Sequence, residues 1–353
     1  MLGGFRIPSR VSAGGGCRLY SAVGGTIALN LARPSDRELL PALFEIHALD
    51  CDEMHAVAAM IGARDADRLL ARGRTLGLAI AAENEPPSPH AACRKRAQAP
   101  PVHDRPCRAP RVLDLSALWA GPLAAHLLGL AGADVLKAES RTRPDGLREG
   151  DPAFFALLNQ DKASVVLDLA SRDGHRALLS LIASSDIVIE AARPRALEQL
   201  GIHADAIVAA TPGLTWVTIT GHGAQGEAAS WVGFGDDCGV AAGLCAALRA
   251  ASGCPGFVGD AIADPLTGIR AAAIAWHGWA SGKGGRFGLS MRGVTAEALA
   301  AARLADAPAL DRALVAWAHA AGSPFPAVRR RETGRVSAWG ADNFSCLAEL
   351  APC

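Results

Sequence analysis

Lysine is scarce in this chain. Among 353 residues only Lys95, Lys137, Lys162 and Lys283 carry an ammonium group, and the rest of the basic side is arginine. Tyr20 is the only tyrosine and aromatics make up 5% of the residues, poor material for base-stacking platforms. An excess of one charge is also missing, since 35 Lys+Arg balance 35 Asp+Glu; this argues against an electrostatically driven binder of nucleic acid or of a membrane surface. The nine cysteines include no C-x-x-C pair and no Cys/His cluster at zinc spacing, so no metal site is expected. An odd cysteine count fits a disulfide framework poorly, and a reducing, cytoplasmic setting is expected. The opening MLGGFRIPSR has no apolar core, so no signal peptide is expected. Residues 115–133 are uncharged and near membrane-spanning length, but Ser116, Pro122, His126 and several glycines interrupt them and acids flank them. A buried strand–turn–helix is the better reading.

What is present is an apolar, Ala-rich chain, half hydrophobic, long enough for two to three domains. Residues 1–24 are Gly-rich and read as a tail. Within 25–84 a strand at 26–31, helices at 35–45 and 52–74 and a strand at 76–81 make a small α/β domain. Residues 85–110 are Pro-rich and read as a linker. From 111 strand and helix alternate up to 292, the signature of βαβ units and a mostly parallel, doubly wound sheet. That Rossmann-like large domain would hold Ala-rich helices near 237–249 and 265–280, and 293–353 would be a C-terminal helical segment and tail. The expected fold class is therefore α/β, a doubly wound mostly parallel sheet with a small α/β domain placed N-terminally.

Two motifs bear on chemistry. GHGAQG at 221–226 fits G-x-G-x-x-G after a strand, but neither the immediate helix nor the later acid of a dinucleotide site follows. A Gly-rich loop at the C-terminal end of a parallel strand is still a place where ligands bind. Asp264, in GDAIADPLTG at 259–268, is an acid at the edge of an apolar helix, costly to bury unless it is paired or used. Helix capping is its ordinary explanation. Asp236 and Asp237 are adjacent, so their side chains point apart, and capping is expected of at least one. No Ser/His or Cys/His pairing suggests a triad.

Taken together, residues 111–291 resemble the family III CoA-transferases of the CaiB/BaiF type, a superfamily that includes formyl-CoA and carnitine CoA-transferases and α-methylacyl-CoA racemase. The likeness rests on RVLDLSALWAGPLAAHLLGLAGADVLKAE, the Arg-Pro-Asp-Gly stretch at 143–146, the N-x-x-K-x-S-x-x-L-D-L pattern at 159–169, DIVIEAARPRALEQLG, TITGHGAQG and GDAIADPLTG. It implies that Asp264 is the catalytic carboxylate, attacking an acyl-CoA thioester to give an aspartyl anhydride and then an aspartyl-CoA thioester. It implies acyl-CoA as substrate, with no permanently bound cofactor, a carboxylic acid as acceptor, and a homodimer. Contacts to CoA would come from Trp119, Ala120 and Gly121 in the first turn, Gly221 and Gly223 in the loop, and Arg193, Arg195, Lys137 and Arg148 as phosphate partners. The chain departs from the family at Ala117, Leu118 and Trp119 before the AGP turn and at Arg195. Its small domain precedes the large one, as in the latter part of a longer, fused two-half member. A non-catalytic acyl-CoA-binding subunit is the alternative. A racemase-type isomerase is another, but Phe234 and Gly235 stand where its base is expected.

Overall fold

The computed structural model describes residues 4–47, 54–103, 107–192, 194–327 and 331–348. Strands β1 (Cys17–Ala22), β2 (Gly25–Asn30) and β3 (Ala79–Ala82) form an antiparallel sheet in the order β1-β2-β3. β4 (Cys93–Gln98), β5 (Arg111–Asp114), β6 (Asp134–Ser140), β7 (Ala163–Leu167), β8 (Ile187–Glu190), β9 (Thr215–Thr220) and β10 (Gly285–Ser290) form a second sheet. Its order is β4-β10-β9-β8-β5-β6-β7, parallel throughout except for β4 on β10.

Apolar side chains on both faces of the parallel strands dictate two helical layers. On one face the helices Ala120–Leu130 and Ala263–Ala280 bury Ala124, Ala271 and Ala275 against Val112, Ile189 and Val217. On the other, the helix Arg172–Ala183 and its neighbours bury Leu178, Leu181 and Val208 against Leu113, Val188 and Trp216. The doubly wound, mostly parallel sheet is thus as expected.

The N-terminal sheet packs helices Met54–Gly62 and Ala66–Leu76 on one face. Its other face, with Cys17, Leu19 and Ala28, meets Val240, Ala241 and Phe257 of the large unit. Three local expectations change. The supposed tail contains β1, which pairs with β2 over six residues through a two-residue turn at Val23–Gly24, where Gly24 has φ 85°. The supposed linker contains β4: its CRKRAQ sequence is charged because it is an edge strand with its arginines and lysine exposed to water, a usual device against edge-to-edge pairing. The expected single helices at 35–45, 52–74 and 237–249 are each broken in two, the last at Gly243, φ 94°, which puts Cys238 and Cys245 on separate helices. Among the described residues no helix is long and apolar enough to cross a membrane.

Candidate active site

The chain enters the helix Ala263–Ala280 through left-handed residues, Gly259 at φ 78° and Ala261 at φ 43°. Ala261 is held in that unfavoured conformation by Asp236, whose Oδ1 accepts the Ala261 N–H at 3.0 Å. Asp264 sits in the first turn, behind an Ile262 N-cap, so it is not the cap that the sequence suggested, and its own N–H is bonded to Ala261 O at 2.9 Å. Its carboxylate is aimed elsewhere. Oδ1 accepts from the Ala120 N–H at 3.3 Å, at the start of the helix Ala120–Leu130. Gly235, which opens the helix Gly235–Ala241, lies so close that a Cβ would overlap Asp264 Oδ2. Three helix starts therefore converge on one carboxylate, each with its positive end. Burial nonetheless pushes Asp264 up to about 7, with Asp236 and Asp237 repelling its charge and the Ala120 and Gly235 N–H groups opposing the rise.

Asp264 lies on the wall of a cavity of about 250 Å³. Ala117, Leu118, Ala120 and Gly121 of the first turn form one side, and Gly221, Gly223 and the segment from Ala229 to Phe234 form another. Arg143 and Arg33 add two cations. Arg33 comes from the N-terminal unit, where Nε on Asp36 Oδ1 at 2.8 Å and NH2 on Gly77 O at 2.8 Å fix its fork. A neighbouring cavity of about 190 Å³ lies between Glu139, Asp145, Glu190 and Leu197, and shares Ala117, Arg143 and Ala192 with the first.

Two buried lysines hold the first turn in place. Lys162 Nζ bonds Asp114 Oδ2 at 2.8 Å, Pro122 O at 2.9 Å and Asn159 Oδ1 at 3.1 Å. Lys137 Nζ donates to Ser116 O at 2.9 Å and forms an ion pair with Asp145 Oδ2 at 2.9 Å. Burial pushes Asp114 up, but Lys162 and Lys137 outweigh it and hold the carboxyl at about 2. Burial, reinforced by Lys137, lowers Lys162 to about 8 against the pull of Asp114. Asp145 also takes the N–H of Leu118 at 2.9 Å, in a turn where Leu118 has φ 66°. The N-x-x-K pattern is thus a clamp on the turn beside Asp264.

The cavity brings together Asp264, Ala120, Gly121, Gly221 and Gly223 from distant parts of the sequence. Trp119 stands next to it, edge-on to Phe154 with ring centroids 4.8 Å apart. Lys137 corrects the sequence reading: at 1% exposure and locked on Asp145, it faces the interior, where no phosphate can reach it. Arg148 is engaged too, forking onto Glu139 at 2.5–3.1 Å and lying over the Phe155 ring. Arg193 and the side chain of Arg195 lie outside the described residues. Sequence reasoning missed Arg33 and Trp231, because only the packing of the N-terminal unit on the loop after β9 brings them to the site, and it gave Arg143, in the Arg-Pro-Asp-Gly stretch after β6, no role. Neither Asp236 nor Asp237 is the N-cap of its helix, which is Phe234; Asp237 stands three residues on and reaches back to accept the Phe234 N–H at 3.0 Å. The histidine of the loop after β9, His222, is 3% exposed and is not among the residues that line the Asp264 cavity.

Residues 109–312 match the profile of CoA-transferase family III. A succinyl-CoA–D-citramalate CoA-transferase of Chloroflexus aurantiacus is 32% identical over 182 residues, 50% of this chain and 44% of that protein. A succinate–glutarate CoA-transferase of Agrobacterium fabrum is 29% identical over 219 residues, 56% of this chain and 55% of that one. Among solved structures, a hypothetical protein of Mycobacterium tuberculosis matches with a TM-score of 0.50 at 28% identity, covering 60% of each chain. The chain spans about half the length of the curated relatives it matches.

Proposed function

The chain belongs to CoA-transferase family III, and from that premise we propose that it moves coenzyme A from an acyl-CoA thioester to a free carboxylic acid, with Asp264 as the covalent carrier. The observation that bears most of the weight is the setting of Asp264: a carboxylate on a cavity wall, raised to about 7 by burial and by Asp236 and Asp237. Carboxylates are poor nucleophiles in water, and partial desolvation makes this one more basic, its ionised, nucleophilic form gaining population as pH passes about 7.

The ionised Asp264 attacks the thioester carbonyl. The C–S bond breaks, CoA leaves as thiolate, and an aspartyl–acyl anhydride remains. The thiolate then attacks the Asp264 carbonyl carbon, releasing the donor acid and leaving an aspartyl-CoA thioester. The acceptor carboxylate attacks that thioester, and CoA thiolate is expelled a second time. It returns to the acceptor's carbonyl, which regenerates the Asp264 carboxylate and releases the new acyl-CoA. Each attack places negative charge on a carbonyl oxygen, and backbone N–H groups of the Gly-rich loop 221–226 other than that of Gly223, which Thr220 Oγ1 takes, would receive it. The Ala120 N–H, which already holds Oδ1 at 3.3 Å, orients the carboxylate for attack. The pantetheine arm would cross Ala117 and Ala192 into the neighbouring cavity, towards the segment that holds Arg193 and Arg195.

Arg143 in this cavity favours acids with a second carboxylate, since a guanidinium fork binds carboxylates well, and Arg33, whose Nε and Nη2 are held by Asp36 and Gly77 O, adds its charge and its remaining terminal nitrogen beside it. The names of the relatives, with succinate, glutarate and citramalate, point the same way. The test is turnover and covalent labelling with a dicarboxylyl-CoA donor and a dicarboxylic acceptor. Asp264→Asn should abolish exchange while acyl-CoA binding persists. Exchange at the native rate in that variant would refute the assignment.

A further inference from the structure

We propose that His222, Asp237 and Cys238 form a buried site for one zinc-class divalent cation, behind the wall of the Asp264 cavity. The proposal does not depend on the transferase reading. His222 follows β9 in the loop 221–226, and the other two residues lie in the first turn of the helix Gly235–Ala241. An imidazole nitrogen, a carboxylate oxygen and a thiol sulfur, all fully buried, lie within 4.8 Å of one another. His222 Nε2 and Cys238 Sγ are each 4.0 Å from Asp237 Oδ2.

Three features point to a ligand. First, the His222 side chain is fully buried at 0% exposure, yet neither ring nitrogen meets a partner in hydrogen-bond geometry, the Val232 backbone alone standing near enough to interact with the ring, and burying such unmet groups is costly. Second, Asp237 is already aimed. Oδ1 is held by Asn30 Nδ2 at 3.1 Å and by the Phe234 N–H at 3.0 Å, which leaves Oδ2 facing the other two groups. Such outer hydrogen bonds are what orient metal ligands. Third, Gly233 keeps the space open, since a Cβ there would stand 2.6 Å from Cys238 Sγ and 2.9 Å from His222 Nε2.

The donor set of one N, one O and one S suits zinc better than a hard cation. Bond lengths of about 2.0–2.3 Å in a tetrahedron put ligand atoms roughly 3.3–3.8 Å apart, so small side-chain rotations would close the site. Binding expels the thiol proton of Cys238 to solvent, as a metal-bound thiolate requires. The cation would tie the loop 221–226 to the segment Gly233–Phe234, both of which line the Asp264 cavity. The sequence gives no hint of this site, because its ligands lack the paired spacing of zinc motifs.

The test is cobalt titration of the whole purified chain after chelator treatment. We expect uptake of one equivalent per chain, with a thiolate-to-cobalt absorption band, strong visible bands of a four-coordinate ion, and proton release. Cys238→Ser should remove the thiolate band, and Asp237→Asn should weaken binding by at least about 10-fold. X-ray absorption of the zinc-loaded wild type needs no variant, and should show a single sulfur in a shell otherwise of nitrogen and oxygen. No uptake, a shell with several sulfurs or none, or a spectrum unchanged in Cys238→Ser would each overturn the site; the last would assign the metal to exposed thiols such as Cys107 and Cys254.

Discussion

Asp264 titrates where the proposed chemistry needs it to. Attack requires the carboxylate, so on chelator-treated protein kcat/KM should rise with pH and level off above about 7. An invariant rate from pH 5 to 9 would show that Asp264 ionisation does not limit it. The same shift has a stability cost. With a folded value near 7 against an ordinary 3.8, the folded state holds the proton longer than the unfolded one. Stability therefore falls as pH climbs through that window. Asp264→Asn removes the cost and should raise stability at pH 8 by roughly 1–2 kcal/mol, allowing for partial solvent screening, while lowering turnover on the order of 10⁴-fold or more; paired denaturation and rate measurements check both. Asp114 has the opposite sign. Its carboxyl is depressed to about 2 from 3.8, so its contribution is present above 3.8 and lost as pH falls through about 2. Lys162→Met strands that buried carboxylate and should cost about 3–5 kcal/mol, read from denaturant midpoints. Asp264 was legible in the sequence because an acid inside an apolar run is anomalous without any knowledge of contacts. Lys137 was misread because a lysine's partner, here Asp145, decides whether it faces ligand or core.

Among the elements, the contact between the helices Ala120–Leu130 and Ala263–Ala280 places the nucleophile. Gly268 lies four residues beyond Asp264, and a Cβ on it would come 2.7 Å from Ala120 O. The two helices touch backbone to backbone at that point, and this is why the Ala120 N–H can reach Asp264 Oδ1. Gly268→Val should separate them, costing about 1–3 kcal/mol by overpacking and lowering kcat more than it raises KM; steady-state kinetics distinguish the two. The strands and the helices flanking the AGP turn were legible because burial on both faces gives continuous apolar runs. β1 and β4 were not. The first hides in a Gly-rich stretch and the second is an exposed edge strand, so neither shows the apolar pattern that marks a central strand.

For the molecule as a whole, the N-terminal unit completes the cavity rather than merely preceding it. Glu85 takes Arg74 at 2.7 Å and Arg292 at 2.9 Å in a buried cluster, and Arg74 lies 3.9 Å over the Trp231 ring, itself part of the cavity wall. Arg249 pairs with Glu83 at 2.6 Å, and Asn30 holds Asp237. Arg33→Ala should raise KM for a dicarboxylic acceptor by about 10-fold, the loss of one charge-assisted contact, and leave a monocarboxylic acceptor unaffected; equal changes for both would remove Arg33 from substrate recognition. This cross-unit architecture could not be read from the chain, since residues as far apart as Arg33 and Asp264 share no local pattern. The central claim, that Asp264 becomes covalently acylated, is tested most directly by incubating the chain with an acyl-CoA donor, trapping with hydroxylamine and mapping peptides by mass spectrometry. The account predicts a hydroxamate on Asp264 that appears only when acyl-CoA is present. Exchange of CoA between acids with Asp264 unmodified would contradict it.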